Sequence, residues 1–68
     1  MKITILTKWV GCKNGSCPTV YKDELGRIFI QGFTVKNEDK ENFEIPSNED
    51  IIEIPKEFLD SIKGISHE

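Results

Sequence analysis

At 68 residues and a formal net charge of −3, the chain has room for one small domain (1–68) and none for two lobes around a deep cleft. Surface scaling gives about 4,400 Å² for a compact fold of this mass, or about 60% burial, so nearly all of the hydrophobic residues are needed inside. Residues 1–35 hold five cations against two acids and residues 36–68 four lysines against ten acids, an imbalance that excludes a generic binder of phosphate backbones over the whole surface.

Residues 1–10 alternate: Met1, Ile3, Ile5, Thr7 and Trp9 fall on one face of a predicted strand, and Lys2, Thr4 and Lys8, with the exceptions Leu6 and Val10, on the other. β-branched side chains favour strand over helix here. Lys2 and Lys8 interrupt an apolar run far too short for a signal-peptide core or a membrane span. A soluble, cytoplasmic protein without membrane attachment is therefore expected.

Residues 11–18 read Gly-Cys-Lys-Asn-Gly-Ser-Cys-Pro. Asn14-Gly15 between strand residues predicts a two-residue turn in which both central residues take positive φ. Lys13 and Ser16 would close it, and Cys12 would stand opposite Cys17 at a site where α-carbons lie about 4.5 Å apart, within reach of a disulfide. Gly11 would next face Pro18, which has no N–H to give, so the ladder should break or bulge there. The cysteine hairpin is expected to project as a short knuckle. The sequon at Asn14 carries meaning only in a secretory pathway.

Residues 19–23 and 27–35 predict a second hairpin around Glu24-Leu25-Gly26, with Gly26 in the left-handed conformation. Its register sets Asp23 opposite Arg27 and Tyr21 opposite Phe29, an ion pair and an aromatic pair that both favour it. The stretch from Ile28 to Val35 is apolar on both faces and is read as the central strand, with Gly32 marking a bend or bulge. Residues 36–50, with six acids and two lysines, predict an acidic loop, either solvated and pinned by Phe43 and Ile45 or used for recognition with those two as anchors. A short strand at 50–54, with Ile52 and Ile54 inward, leads to a helix of about two turns. Pro55 suits its first position, Phe58, Leu59 and Ile62 its inner face, and Gly64 its C-terminal cap, with Ile65 adding a hydrophobic contact. The fold class is thus mainly β (α+β): a small curled antiparallel sheet or SH3-like open barrel of about four strands with a short C-terminal helix.

The conspicuous chemistry is the C-x4-C pair, Cys12 and Cys17. As a disulfide it would close a small loop and stabilise the fold by about 2.2 kcal/mol. Cytosolic thiols usually stay reduced, so reduced packing cysteines are the other main reading, and a redox switch, with Lys13 lowering a thiol pKa, is a further one. Zinc is the minor metal alternative. It wants two more ligands than the pair supplies, and only His67 and carboxylates are on offer, so a second chain or partner would have to complete the site. No cofactor is otherwise expected, and no enzymatic activity: His67 is near the C-terminus, the acid pairs at 38–39 and 49–50 lie in polar surroundings, and no Gly-rich phosphate loop exists.

The run Cys17-Pro18-Thr19-Val20-Tyr21, then Gly26-Arg27, Ile30-Gln31-Gly32 and Ile52-Glu53-Ile54-Pro55 before the helix, resembles a set of short uncharacterised bacterial proteins over residues 12–62. Those carry a Cys-Pro-Thr-aliphatic-Tyr, Gly-Arg, Val-Gln-Gly core and a Val-Glu-Val-Pro plus helix ending. The resemblance implies no activity; it suggests an accessory role, some members being encoded beside helix-turn-helix regulators. Pro55-Lys56-Glu57 is also similar to a segment of swapped-hairpin DNA-binding antitoxins, whose basic N-terminal hairpin this chain lacks.

The functional expectation is a small non-catalytic, regulatory interaction module. It would bind a protein partner through a sheet edge, the knuckle, or the acidic loop with Phe43 and Ile45 as anchors, with a homodimer as a further possibility. The alternatives are a nucleic-acid-binding regulator using Lys8, Trp9, Lys13, Lys22 and Arg27, which combine charge with aromatic rings on predicted strands, and a zinc-knuckle or thiol-switch protein using Cys12 and Cys17.

Overall fold

Among the described residues Cys17-Pro18-Thr19-Val20 is the longest fully buried stretch, and the fold is built outward from it. In the computed structural model, which describes residues 1–11 and 17–65, it leads into β2 (Thr19–Asp23), flanked by β1 (Ile3–Lys8) and β3 (Ile28–Gln31) in the antiparallel order β1-β2-β3. A second, two-stranded sheet pairs β4 (Phe33–Thr34) with β5 (Ile52–Glu53). Between them lies α1 (Asn37–Lys40), and α2 (Phe58–Lys63) closes the chain against β1. The architecture is mainly strands with short helices, in the curled α+β form, and among the described residues no closed barrel forms.

The β2–β3 hairpin follows the predicted register. Tyr21 stands opposite Phe29, the Asp23 N–H donates to the Arg27 carbonyl at 3.1 Å, and Gly26 takes φ 83° in the three-residue loop. The central position, however, belongs to β2, not to β3. An apolar run on both faces reads as doubly covered, but a chain this short has no second layer to lay over it, and β3 stays exposed at the edge. The long predicted third strand is also cut in two at Gly32. A Cβ there would stand 2.8 Å from the Glu53 carbonyl oxygen and 2.8 Å from Ile52 Cδ1, so only glycine lets the chain pass close to β5 as it leaves one sheet for the other.

The single face predicted for Met1, Ile3, Ile5, Thr7 and Trp9 is also divided. Ile3 and Ile5 oppose Asp23 and Tyr21, but a bulge at Leu6 resets the alternation so that Thr7 opposes Val20 and Lys8 opposes Thr19. Continued from an Asn14-Gly15 turn, the ladder would have put Trp9 opposite Val20; the observed pairing is displaced by two residues, and it runs one step beyond Lys8 through the Trp9 N–H to the Pro18 carbonyl at 2.9 Å. Proline is tolerated in that position because it is used as an acceptor. The turn itself, with Cys12 and Lys13, lies outside the described residues.

At the C-terminus, Phe58 is fully buried (0%) whereas Leu59, expected beside it, is exposed. In so short a helix only one stripe can face inward, and Phe58 with Ser61 and Ile62 occupies it. Pro55 stands one turn ahead of α2 and accepts the Phe58 N–H at 2.9 Å, and Gly64 caps the helix in the right-handed region (φ −80°). Ile52, predicted inward, is exposed, while Ile54 is half-buried. Truncating Phe58 to alanine is expected to cost about 3–5 kcal/mol in a urea titration, enough to unfold so small a domain, whereas Leu59→Ala should cost about 1 kcal/mol or less; equal losses would contradict this division of the helix.

Candidate functional site

Residues 36–50 are more structured than a solvated loop. Lys36-Asn37-Glu38-Asp39-Lys40 starts a single helical turn because its backbone has no strand to pair with and its acids lie in the first turn, where they oppose the helix dipole favourably. Successive turns follow: the Asn42 side-chain amide donates to the Asp39 carbonyl at 3.1 Å, the Phe43 N–H to the Lys40 carbonyl at 3.0 Å, and the Glu49 N–H to the Pro46 carbonyl at 3.0 Å. The two ends of the segment are tied together by Lys40 Nζ and Asp50 Oδ1 at 3.0 Å. The Lys40 ammonium, aided by the Ile51 N–H at 2.8 Å, holds the Asp50 carboxyl below its usual value.

This frame presents Phe43, which is 56% exposed, while Ile45 is half-buried. The two residues singled out from the sequence thus divide the roles, Ile45 fixing the lobe and Phe43 projecting from it. Phe43 borders two shallow depressions of about 400 Å³ each, one shared with Lys40, Ile45 and Pro46, the other with Val35, Asn42 and Ile51. The surrounding segment carries six acids against two lysines, one of which is spent on Asp50.

The residues of the nucleic-acid alternative are not gathered into one face. Lys8 shares a sheet face with Thr19 and Tyr21, whereas Lys22 points to the other face. Trp9 is half-buried, its ring lying against Gly11 so closely that a Cβ there would come within 2.6 Å. The Arg27 guanidinium is committed to Asp23, Nε to Oδ2 at 2.6 Å, and rests 5.5 Å from the centre of the Phe29 ring. Lys13 lies outside the described residues.

Cys17 is disulfide-bonded and buried, and in that state it has no thiolate to offer a metal or a redox partner. Cys12 and His67 lie outside the described residues. Among the described residues no group of three or more His, Cys, Asp or Glu side chains could hold a metal ion. The Cys17 carbonyl accepts the Thr19 hydroxyl at 2.7 Å and the Gln31 side-chain amide at 3.2 Å, and the Tyr21 hydroxyl donates to Gln31 Oε1 at 2.9 Å. Gln31, not anticipated from the sequence, is therefore the link between the knuckle's base and the aromatic pair; its position opposite Thr19 follows once the hairpin register is known.

Asp23 organises the turn beneath these groups. Burial pushes its carboxyl up, but the Arg27 N–H, the Arg27 guanidinium and the Leu25 N–H together outweigh that and hold it below the ordinary carboxylate range. Because the folded value is the lower one, the contribution is complete above about pH 4 and is lost as pH falls through the still lower native value. Asp23→Asn would leave two sets of donors facing each other at Arg27. It is expected to lower the melting temperature at neutral pH and to flatten the loss of stability on acidification; an unchanged acid slope would contradict the assignment, the residual slope being that of groups such as Asp50. Comparison with protein-family models, curated proteins and solved structures finds no match to the chain.

Proposed function

We propose that the protein is a small non-catalytic interaction module whose acidic lobe docks a protein segment carrying a basic residue beside an apolar anchor. The observation that carries this reading is Phe43: a large exposed aromatic on a frame of turns, bordering two shallow depressions within a carboxylate-rich surround. Aromatic anchors in the middle of a contact supply most of its binding energy, and acids around them select for a basic partner and speed its arrival. Among the described residues the two carboxyls with shifted titration, Asp23 and Asp50, are both pushed down by the ion pairs and N–H donors that hold them.

The test uses short synthetic peptides combining lysine or arginine with leucine or phenylalanine, followed by amide chemical-shift mapping of the protein. Shifts should concentrate at Asn42, Phe43, Ile45 and Ile51 and weaken with added salt. Phe43→Ala should reduce affinity by about 30-fold, a loss of about 2 kcal/mol, with little change in stability. Binding that maps instead to Lys8 and Arg27, or that survives Phe43→Ala, would overturn the proposal.

A further inference from the structure

The two edges of the three-stranded sheet are treated differently. β1 is flanked by Lys2, ends at Lys8, carries the bulge at Leu6 and has α2 packed against it, all devices that discourage further pairing. β3 is short and is preceded by Arg27, whose charge Asp23 already matches, but its own four residues carry no charge, its pairing with β2 shows no bulge, and Ile28, Phe29 and Ile30 are 55%, 41% and 48% exposed. The chain exposes 5815 Å², about 1,400 Å² above the expectation for a compact fold of its mass, and the apolar side chains of β3 are part of that surface.

We propose that β3 is a self-association edge, pairing antiparallel with β3 of a second copy about a twofold axis at Phe29. The register follows from three constraints. First, the Asp23 N–H bonds to the Arg27 carbonyl, so the alternation of the ladder turns the backbone groups of Phe29 and Gln31 toward β2 and those of Ile28 and Ile30 toward the open edge. Second, residues directly opposite each other must lie on the same sheet face, so a twofold axis passes through a residue position and not between two. Third, apolar side chains must meet apolar ones. An axis at Phe29 satisfies all three: Ile28 opposes Ile30 of the second copy with outward-facing backbone groups on both sides, each such pair exchanging two hydrogen bonds, and the two Phe29 rings meet at the closer, non-hydrogen-bonded site. Arg27 then faces Gln31 of the second copy, and its charge is already matched by Asp23, so no like charges oppose. An axis at Ile30 would set Phe29 against Gln31 and Ile28 against Gly32, where the chain departs for β4. With the axis at Phe29, the row Ile5–Tyr21–Phe29 runs on into the second copy as one continuous band. This surface is separate from the Phe43 lobe and stands or falls independently of it.

Sedimentation velocity from micromolar to millimolar protein is expected to show a concentration-dependent shift from 7.8 kDa to twice that mass. Ile28→Pro is the decisive variant: it removes an N–H that the monomer's own ladder does not use, at the first residue of an edge strand where proline is tolerated, and should weaken association at least tenfold with the dispersed amide spectrum retained. Ile30→Lys, which sets a charge against Ile28 of the second copy, should do the same if the proline variant fails to fold, and Phe43→Ala should leave association unchanged. A monomer at millimolar concentration, or association undiminished in a folded Ile28→Pro or Ile30→Lys protein, would overturn the proposal.

Discussion

The buried carboxylate of Asp23 is the interaction on which the arrangement depends. It accepts the Leu25 and Arg27 N–H groups, each at 2.9 Å, and the Arg27 guanidinium, at the point where β2 turns into β3. A carboxylate removed from water without such donors would be severely destabilising, so the turn has little freedom to slip. A slip of one residue would invert every side chain of β3. The pairing of Tyr21 with Phe29, the seat of Arg27 on the Phe29 ring and the outward direction of the Ile28 and Ile30 backbones are all consequences of this anchoring.

Around that anchor the core is small. Among the described residues only Cys17, Val20 and Phe58 are buried hydrophobic residues, joined by Thr19 and Asp23 as satisfied polar groups. The hydrophobic side chains of β3, β4 and β5 are left partly in water, because a two-stranded and a three-stranded sheet joined at Gly32 cannot fold over one another completely. A chain with so little interior has surface to spare, and two regions of it differ in kind: the acidic lobe around Phe43, charged and braced by its own turns, and the β3 edge, uncharged and backbone-rich. The first is the surface proposed to take a basic partner and the second the one proposed to pair with its own copy.

The second hairpin was legible from sequence because its signals are local: a glycine at the one left-handed position, an ion pair across the turn and an aromatic pair beyond it. Gly32 was legible as a bend in the strand, but not as the point where the chain passes from one sheet to the other. What periodicity could not show was the bulge at Leu6, since an inserted residue leaves no mark on composition and yet moves Thr7 and Lys8 to other faces. Nor could it distinguish a strand apolar on both faces that is central from one that stands exposed at the edge of the sheet. For the site, Phe43 stood out as an isolated aromatic among acids, and it is the exposed one. The basic residues of the N-terminal half scattered because strand alternation separates Lys22 from Lys8, and because the charge of Arg27 is used inside the turn.

The account rests on Asp23 being ionised and held in place by its donors, and that can be read at the atom itself. A carbon-detected NMR titration following the Asp23 carboxyl, together with the Leu25 and Arg27 amide protons, should show the carboxyl titrating below the ordinary value of about 3.9, with both amides moving at the same midpoint. A carboxyl that titrates at or above that value, with the two amides indifferent to it, would contradict the claim that this group sets the register of the sheet.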